Sequence, residues 1–153
     1  MIKTTGVLHF TIPVSDTVKS LNFYIEVLGF ELIQHVPQID MVFMKCGDDF
    51  VNLTKSKTPI NPNNGNDFLV HHAFKIEVDK YEEAKQSIID RGIEIIHEEH
   101  RYEGIFHGKQ FYFHDLDRNV IEINALEKVT DGFSEDQINN KDYKVFPNLK
   151  SQF

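Results

Sequence analysis

The sequence is poor in cysteine and contains no tryptophan. Of its 153 residues only Cys46 carries a thiol, which excludes an internal disulfide and is typical of a reducing compartment. No window approaches the roughly 18 apolar residues of a membrane span. The N-terminal stretch MIKTTGVLHF also lacks the apolar run of a signal peptide. We therefore expect a cytoplasmic protein that does not enter a membrane.

The sequence also lacks an excess of basic residues. Sixteen Lys and Arg residues stand against 24 Asp and Glu residues, for a net charge of −8. Such a charge disfavours nucleic acids and anionic membranes as partners. What the sequence does contain is 41% hydrophobic residues, with thirteen Phe among them. That is enough for one globular core, or for two small modules that share a core.

The order of predicted elements repeats once along the chain. In the first half a strand at 7–14 precedes a helix with Asp16 as N-cap and Gly29 as C-cap. The apolar spacing predicts that this helix buries Val18, Leu21, Ile25 and Leu28. Three further strands are predicted at 30–33, 41–46 and 50–54.

The second half has the same order of elements. A strand at 70–78 precedes a helix capped by Asp79 and ended by Gly92, and this helix carries Tyr81, Ala84 and Ile88. Three strands are predicted at 93–99, 109–115 and 119–126. The motif LGFELI at 28–33 resembles RGIEII at 91–96. Internal duplication is the favoured interpretation, and two unrelated α+β pieces of similar layout are the alternative.

These elements predict an α+β fold. Two βαβββ modules, at 1–54 and 69–126, form a curved, partly closed mixed sheet. Residues 55–68 are rich in Pro, Asn and Gly and are predicted to be a linker. Residues 127–153 are predicted to be a polar tail whose role the sequence does not indicate.

Two adjacent histidines in the fifth strand must point to opposite faces, because side chains alternate along a strand. His72 shares the apolar face with Phe74 and Ile76, which leaves His71 on the opposite, concave face. In the first strand the same alternation places His9 on the concave face. His71 is therefore the predicted counterpart of His9, and His72 is predicted to be a packing residue at the edge of the core.

A carboxylate in the last strand is predicted to join the two histidines. Ile121 and Ile123 face the helix layer, so Glu122 points to the concave side, where burial is costly unless the charge is paired or metal-bound. Two imidazoles and one carboxylate on one face form a facial triad with open positions for substrate. We predict that His9, His71 and Glu122 hold one divalent transition metal per site, with Fe, Mn, Zn and Ni all open.

Three stretches resemble the vicinal oxygen chelate superfamily: LHFTIPVSDTVKSLNFYIEVLGFEL, HHAFKI and FYFHDLDRNVIEI. This superfamily contains glyoxalase I, fosfomycin-resistance enzymes, extradiol dioxygenases, methylmalonyl-CoA epimerase and bleomycin-binding proteins. The resemblance covers residues 6 to about 126 and implies the glyoxalase/bleomycin resistance/dioxygenase fold. It also implies that His71, His9 and Glu122 occupy the metal-ligand positions. The chain departs from the usual D-P-D-G-N turn, since residues 115–119 read DLDRN.

The resemblance also bears on the branch of the superfamily. Where glyoxalase I has a fourth ligand, a glutamate, this chain has Asn52, a poor ligand and proton acceptor, so glyoxalase I activity is not expected. Thr11 and Tyr112 resemble residues near the substrate of fosfomycin-resistance enzymes and are the candidate catalytic residues. The segment after Glu122 lacks the arginine with which those enzymes hold a phosphonate. For the dioxygenase branch, His107 is the nearest match to an additional histidine.

The sequence thus predicts a metal-dependent enzyme that chelates two adjacent oxygens of a small-molecule substrate. A lyase, an isomerase, a dioxygenase and a transferase, including one like the fosfomycin-resistance enzymes, all stay open. The competing class is a protein that sequesters a drug or metabolite without chemistry, as bleomycin-resistance proteins do. The resemblance further implies a homodimer in which His9 of one chain completes a site with His71 and Glu122 of the other. Sites built within one chain are the alternative.

Overall fold

The computed structural model describes residues 1–58, 60, 63 and 70–132, so most of the predicted linker and tail lies outside the described residues. The first half forms α1 (Thr17–Leu28) and four strands, β1 (His9–Val14), β2 (Glu31–Val36), β3 (Met41–Cys46) and β4 (Asp49–Lys55). The second half forms α2 (Tyr81–Asp90) and four strands, β5 (His71–Ile76), β6 (Ile95–Arg101), β7 (Phe106–His114) and β8 (Val120–Val129). Short 3₁₀ turns lie at Pro37–Ile39 and Val78–Lys80.

Each half folds into its own four-stranded mixed sheet, and the two sheets follow the same path. The strand orders are β1-β4-β3-β2 and β5-β8-β7-β6. In each sheet the first two strands of that order run parallel and the other neighbours run antiparallel. The predicted α+β fold of two βαβββ modules in a curved, incompletely closed sheet is confirmed. No helix in the described part of the chain is long and apolar enough to cross a membrane.

Strand register confirms which residues of the two halves correspond. In the first sheet Thr11 of β1 lies beside Asn52 of β4, and in the second Ala73 of β5 lies beside Glu122 of β8. His71 precedes Ala73 by two residues, as His9 precedes Thr11. Asn52 and Glu122 are therefore equivalent positions of the two modules.

Both predicted caps of α1 are observed, whereas α2 has Lys80 and Arg91 at the cap positions where Asp79 and Gly92 were predicted. The Asp16 side chain accepts hydrogen bonds from the first-turn backbone of α1, and Gly29 ends that helix in the left-handed conformation. Gly92 adopts the same conformation after α2, with φ of 69°. The prediction for Asp79 is wrong. Asp79 lies within a 3₁₀ turn, and Lys80 occupies the N-cap position of α2 without a side-chain hydrogen bond.

The buried face of α1 differs from the predicted one. Its buried residues are Thr17, Ser20, Leu21 and Tyr24. Val18 and Ile25, which were expected to be buried, are exposed. The buried face includes Tyr24 because its hydroxyl donates a hydrogen bond to Asp115 of the second module. The apolar spacing did not indicate a polar hydroxyl on the core side of the helix. In α2 the expected Tyr81 and Ile88 are buried as predicted.

The turn at 115–119 of the second module forms hydrogen bonds with the first module. The Tyr24 hydroxyl donates a hydrogen bond of 2.9 Å to Asp115 Oδ2. Asn119 Nδ2 donates to the Pro13 carbonyl at 2.9 Å, and the Ser15 backbone N–H donates to Asp117 Oδ2 at 3.0 Å. The start of β8 is therefore held against β1 and α1.

The same turn closes without the proline and glycine of the D-P-D-G-N pattern. Asp115 Oδ1 accepts hydrogen bonds from the backbone N–H groups of Asp117 and Asn119. Arg118 stands where the usual turn has glycine, and it adopts a φ of 63°. A non-glycine residue in this conformation is uncommon, so the Asp115 carboxylate compensates for its strain.

Aromatic packing adds to the contact between the modules. Phe10 of β1 stacks on His72 of β5, with ring centroids 5.4 Å apart. Phe30 meets Phe74 edge-on at 5.1 Å. Buried residues of both halves thus belong to one hydrophobic core.

We predict that Tyr24→Phe destabilises the protein, because it removes a buried hydrogen bond between the modules. Burial and the neighbouring Asp115 raise the pKa of the Tyr24 phenol, which therefore keeps its proton and donates a hydrogen bond to the Asp115 carboxylate. Loss of one buried hydrogen bond of this kind costs about 1–3 kcal/mol. Denaturant unfolding of the wild-type and variant proteins measures the difference.

Tyr81→Phe is the matched control, since Tyr81 opens α2 and its hydroxyl donates to the exposed Glu98 Oε1 at 3.0 Å, with only a longer contact of 3.4 Å to the buried Gln110 carbonyl. Glu98 is solvent accessible and keeps both hydrogen bonds from Lys85, so a smaller loss of stability is expected. Equal losses in the two variants would contradict the role assigned to the Tyr24 contact.

Candidate metal centre

His71 and Glu122 are in direct contact on the concave face of the second sheet. His71 Nε2 lies 3.0 Å from Glu122 Oε2. The parallel pairing of β5 and β8 places Val120 beside His71 and Glu122 beside Ala73, so the two side chains are diagonal neighbours on one face. Glu122 is only 5% exposed. The structure therefore brings together two of the three predicted metal ligands.

Hydrogen bonds keep the buried Glu122 ionised. Burial alone would raise the pKa of its carboxyl, but hydrogen bonds with His71, Asn124 and Tyr112 together outweigh burial and lower that pKa. Asn124 Nδ2 donates to Oε1 at 2.9 Å, while His71 is next to Oε2. Glu122 is thus a carboxylate in the protonation state that a metal ligand requires.

A polar network extends from Glu122 across the sheet. Asn124 Nδ2 also donates to Gln110 Oε1 on β7, at 2.8 Å. Gln110 Nε2 in turn donates to Glu99 Oε1 on β6, and Arg101 donates to the same oxygen. Side chains from three adjacent strands are therefore linked to one carboxylate of the candidate centre.

Tyr112 lies beside both His71 and Glu122. It is fully buried, and its ring meets that of His71 edge-on with centroids 5.5 Å apart. Burial and the adjacent Glu122 raise the pKa of its phenol, which stays neutral and contacts that carboxylate. The concave-face position predicted for Tyr112 agrees with its register beside Glu122. A direct contact of its hydroxyl with substrate stays a prediction.

A cavity of about 770 Å³ opens next to the His71 and Glu122 pair. Residues of both modules line it. The polar and charged lining residues of the described chain include His9, Asp48, Asp49, His71, Lys75, Arg101, Glu122 and Asn124. Apolar lining residues include Val7, Leu8, Phe50, Phe106 and Leu126. A volume of this size accommodates a small molecule.

His9 borders this cavity but does not complete the site within one chain. It is exposed at the start of β1. Among the residues that the structure describes, no group of three His, Cys, Asp or Glu side chains is placed to hold one metal ion. A single chain thus supplies the contact of His71 with Glu122, and leaves His9 apart from it.

Two other candidates lie outside the lining of the cavity. Thr11 is exposed on β1 beside Asn52. His107 Nε2 is 3.2 Å from the Gly104 carbonyl, near the turn between β6 and β7. Within the described chain neither residue lines the cavity. The role of Thr11 near a substrate stays a prediction.

His72 lies on the packing side, as its place in the strand predicts. Its ring stacks on Phe10. Burial lowers the pKa of its imidazole, and the neighbouring His71 lowers that pKa further. A neutral, half-buried imidazole is a packing group. His71 is therefore the member of the histidine pair that faces the cavity.

Sequence reasoning missed Gln110, Asn124 and Arg101. A signal for the first two was present, because Gln110 precedes Tyr112 by two residues and Asn124 follows Glu122 by two. Such spacing places them on the face of the candidate centre. Arg101 had no comparable signal, since a shift in register between β6 and β7 sets its position.

The donor set fits a divalent transition metal. An imidazole nitrogen and an ionised carboxylate oxygen are ligands that suit Fe, Mn, Zn and Ni. Glu122 Oε1 is engaged by Asn124, whereas Oε2 lies on the side of His71. His71 and Glu122 are therefore the residues of this chain that would hold the ion, with a third ligand to be supplied.

Comparisons with known proteins identify the family of the chain. The sequence profile of the Glyoxalase/Bleomycin resistance protein/Dioxygenase superfamily matches residues 6–123. Glutathione transferase FosA of Serratia marcescens is 30% identical over 118 residues, which cover 76% of this chain and 78% of that protein. Metallothiol transferase FosB of Staphylococcus saprophyticus is 29% identical over 138 residues, covering 89% and 88% respectively.

Solved structures show the same fold. The fosfomycin resistance protein FosX of Listeria monocytogenes superposes with a TM-score of 0.68 at 22% identity, covering 81% of this chain and 94% of FosX. Lactoylglutathione lyase of Agrobacterium tumefaciens gives a TM-score of 0.64 at 19% identity, covering 79% and 93%. The chain belongs to the Glyoxalase/Bleomycin resistance protein/Dioxygenase superfamily. The resemblance to the vicinal oxygen chelate superfamily is thereby confirmed.

We predict that His71→Ala abolishes stoichiometric metal binding, because it removes the imidazole in contact with Glu122. His72→Ala is the matched control at the adjacent position, and it should keep the metal while losing its packing on Phe10. Metal content of the purified, dialysed variants measures both outcomes. Retention of metal by His71→Ala together with its loss from His72→Ala would show that the assignment of faces is wrong.

Proposed function

We propose that the protein is a metal-dependent enzyme that acts on a small, oxygen-rich molecule such as an epoxide, a catechol or an α-hydroxycarbonyl. The observation that carries this proposal is the buried, ionised Glu122 in contact with His71 beside a cavity of about 770 Å³. Burying a carboxylate is costly, and ligation of a cation is a function that accounts for it.

A divalent metal bound there would supply Lewis acidity toward a substrate oxygen. The chain's own residues would hold and orient the substrate around it. Arg101 and Lys75 are the cationic residues of the described cavity lining, and they offer charge compensation to an anionic substrate. Tyr112 keeps its phenol neutral beside Glu122, where it supports the ionised state of that carboxylate.

We further propose a homodimer in which the partner's His9 is the third ligand. Three observations support it. His9 borders the cavity, yet the described part of one chain holds no three-residue metal group. In addition, the apolar lining residues Val7 and Leu8 are 80% and 76% exposed, and Phe50 and Phe106 are also exposed. Apolar residues clustered at a cavity mouth are typical of a surface that another chain covers.

Transfer of a nucleophile to an epoxide is the first reaction to test. FosA and FosB are named as transferases, and a FosX structure of TM-score 0.65 contains Mn(II) and a dihydroxypropylphosphonic acid. This chain lacks an arginine directly after Glu122, so we propose that Arg101 provides the cation for an anionic substrate group. Dioxygenase chemistry has less support, because His107 does not line the cavity of the described chain.

The test is turnover by chelator-treated protein after addition of one metal at a time, under anaerobic conditions. Fosfomycin, an epoxide phosphonate, is offered with water, glutathione or a small thiol, and product is followed by NMR. We expect metal-dependent opening of the epoxide, and its loss in Glu122→Gln, which keeps the shape of the side chain but not its charge. In a separate aerobic assay with a catechol, oxygen-dependent turnover without any opening of the epoxide would replace the transferase proposal with a dioxygenase.

A different result would contradict the enzyme proposal as a whole. Tight binding of a small molecule by fully metal-free protein, with no turnover under any metal or substrate class, would support sequestration. The Glu122→Gln variant would then bind the ligand as tightly as the wild type does.

We predict that variants with complementary defects restore metal binding when their chains are mixed. His9→Ala and Glu122→Ala should each lose metal alone. In a twofold dimer with shared sites, each mixed dimer has one intact site, so random exchange should recover about a quarter of wild-type metal. Metal content after mixing and dialysis measures the recovery.

Two controls make this experiment decisive. Subunit exchange is verified with chains of different mass tags, and His71→Ala is mixed with Glu122→Ala. These two changes fall in the same module, so their mixed dimers contain no intact site. Recovery in that control, or none for His9→Ala with Glu122→Ala after proven exchange, would contradict shared sites.

A further inference from the structure

The amide of Asn124 makes an incomplete set of hydrogen bonds beside the candidate metal centre. Asn124 is 7% exposed and lines the cavity. Its Nδ2 donates to Glu122 Oε1 at 2.9 Å and to Gln110 Oε1 at 2.8 Å. Its Oδ1 is buried and has no hydrogen-bond partner in the part of the chain that the structure describes. Both donors are used, and the acceptor is not.

The orientation of this amide is dictated by its neighbours. A carboxylate only accepts hydrogen bonds, so Glu99 requires Gln110 to present its Nε2, which leaves Gln110 Oε1 toward Asn124. Glu122 likewise presents only acceptors. Turning the Asn124 amide over would place Oδ1 against two oxygen atoms, and therefore the nitrogen must face Glu122.

The arrangement at Asn124 is not a general requirement of the fold. The equivalent pair in the first module illustrates the alternative. Strand pairing places Met41 beside Thr54 there, where the second module has Gln110 beside Asn124. The amide pair is thus confined to the module that carries Glu122.

We propose that Asn124, itself held by Gln110, is a positioning residue that occupies Oε1 of Glu122 and leaves only Oε2 for the metal. The inference rests on the metal centre proposed above. A carboxylate held in this way binds through one oxygen, whereas a free one can bind through both. One coordination position is thereby kept open, which a substrate that chelates through two oxygens requires. Gln110 acts one step further away, by fixing the Asn124 amide.

The test is the metal affinity and coordination of Asn124→Leu, which is similar in size but has no donor. Loss of a hydrogen bond to a ligating carboxylate typically weakens metal binding about 10–100-fold. We expect a fall in Mn²⁺ and Co²⁺ affinity of that order, measured by competition with a chelator. We also expect the visible absorption per bound Co²⁺ to weaken, because a second carboxylate oxygen raises the coordination number.

Asn22→Leu is the matched control, the same exchange at an exposed position of α1. It should leave both the affinity and the spectrum of bound Co²⁺ unchanged. Gln110→Met introduces the residue found at the equivalent position of the first module, and it should change both in the same direction as Asn124→Leu. Because Gln110 acts through Asn124, the double variant should bind metal no more weakly than Asn124→Leu alone.

The outcomes separate this inference from the proposed function. If the wild-type protein binds no metal, the metal centre itself is wrong and the inference falls with it. If the wild type binds metal and Asn124→Leu and Gln110→Met bind it equally well with an unchanged spectrum, the positioning role alone is overturned. The positioning role is also overturned by a third set of results. In it the metal affinity falls, the spectrum per bound Co²⁺ is unchanged and the metal-free protein unfolds at a lower midpoint, because these changes together are a purely structural effect.

Discussion

The carboxylate of Glu122 is buried in the second sheet and has to stay ionised for the proposed function. Hydrogen bonds with His71, Asn124 and Tyr112 offset the cost of burial and lower the pKa of its carboxyl. These residues lie on β5, β7 and β8, and strand pairing places them beside Glu122. The hydrogen bonds to the two Glu122 oxygens therefore depend on the register of three strands. A slip of one residue would turn Glu122 into the core and remove the site.

The first module helps to hold that register in place through contacts with the turn that precedes β8. Its Tyr24 and Pro13 bind the turn at 115–119, from which β8 begins. Contacts between the modules therefore fix where β8 begins. The starting point of β8 in turn determines the face of the sheet to which Glu122 points. The first module serves the site in this way even though its position equivalent to Glu122 is Asn52.

Period-two alternation was sufficient to place His9, His71 and Glu122 on the concave face and His72 on the other, because pleating depends only on local backbone geometry. Long-range contacts were not predictable in this way. The buried face of α1 turned toward Asp115, a partner 91 residues away, and the 3₁₀ turn at Val78–Lys80 displaced the expected cap. Asn124 and Gln110 were missed because their role depends on cross-strand neighbours.

The central claim is that His71 and Glu122 are two ligands of one metal ion. It is tested most directly by a crystal structure of the protein grown with Mn²⁺, in which anomalous scattering locates the ion. The account predicts a peak within coordination distance of His71 Nε2 and Glu122 Oε2, with His9 of a second copy as the third protein ligand. An ion bound elsewhere would contradict the claim. So would the absence of an ion at saturating Mn²⁺ if His71 and Glu122 stay in direct contact.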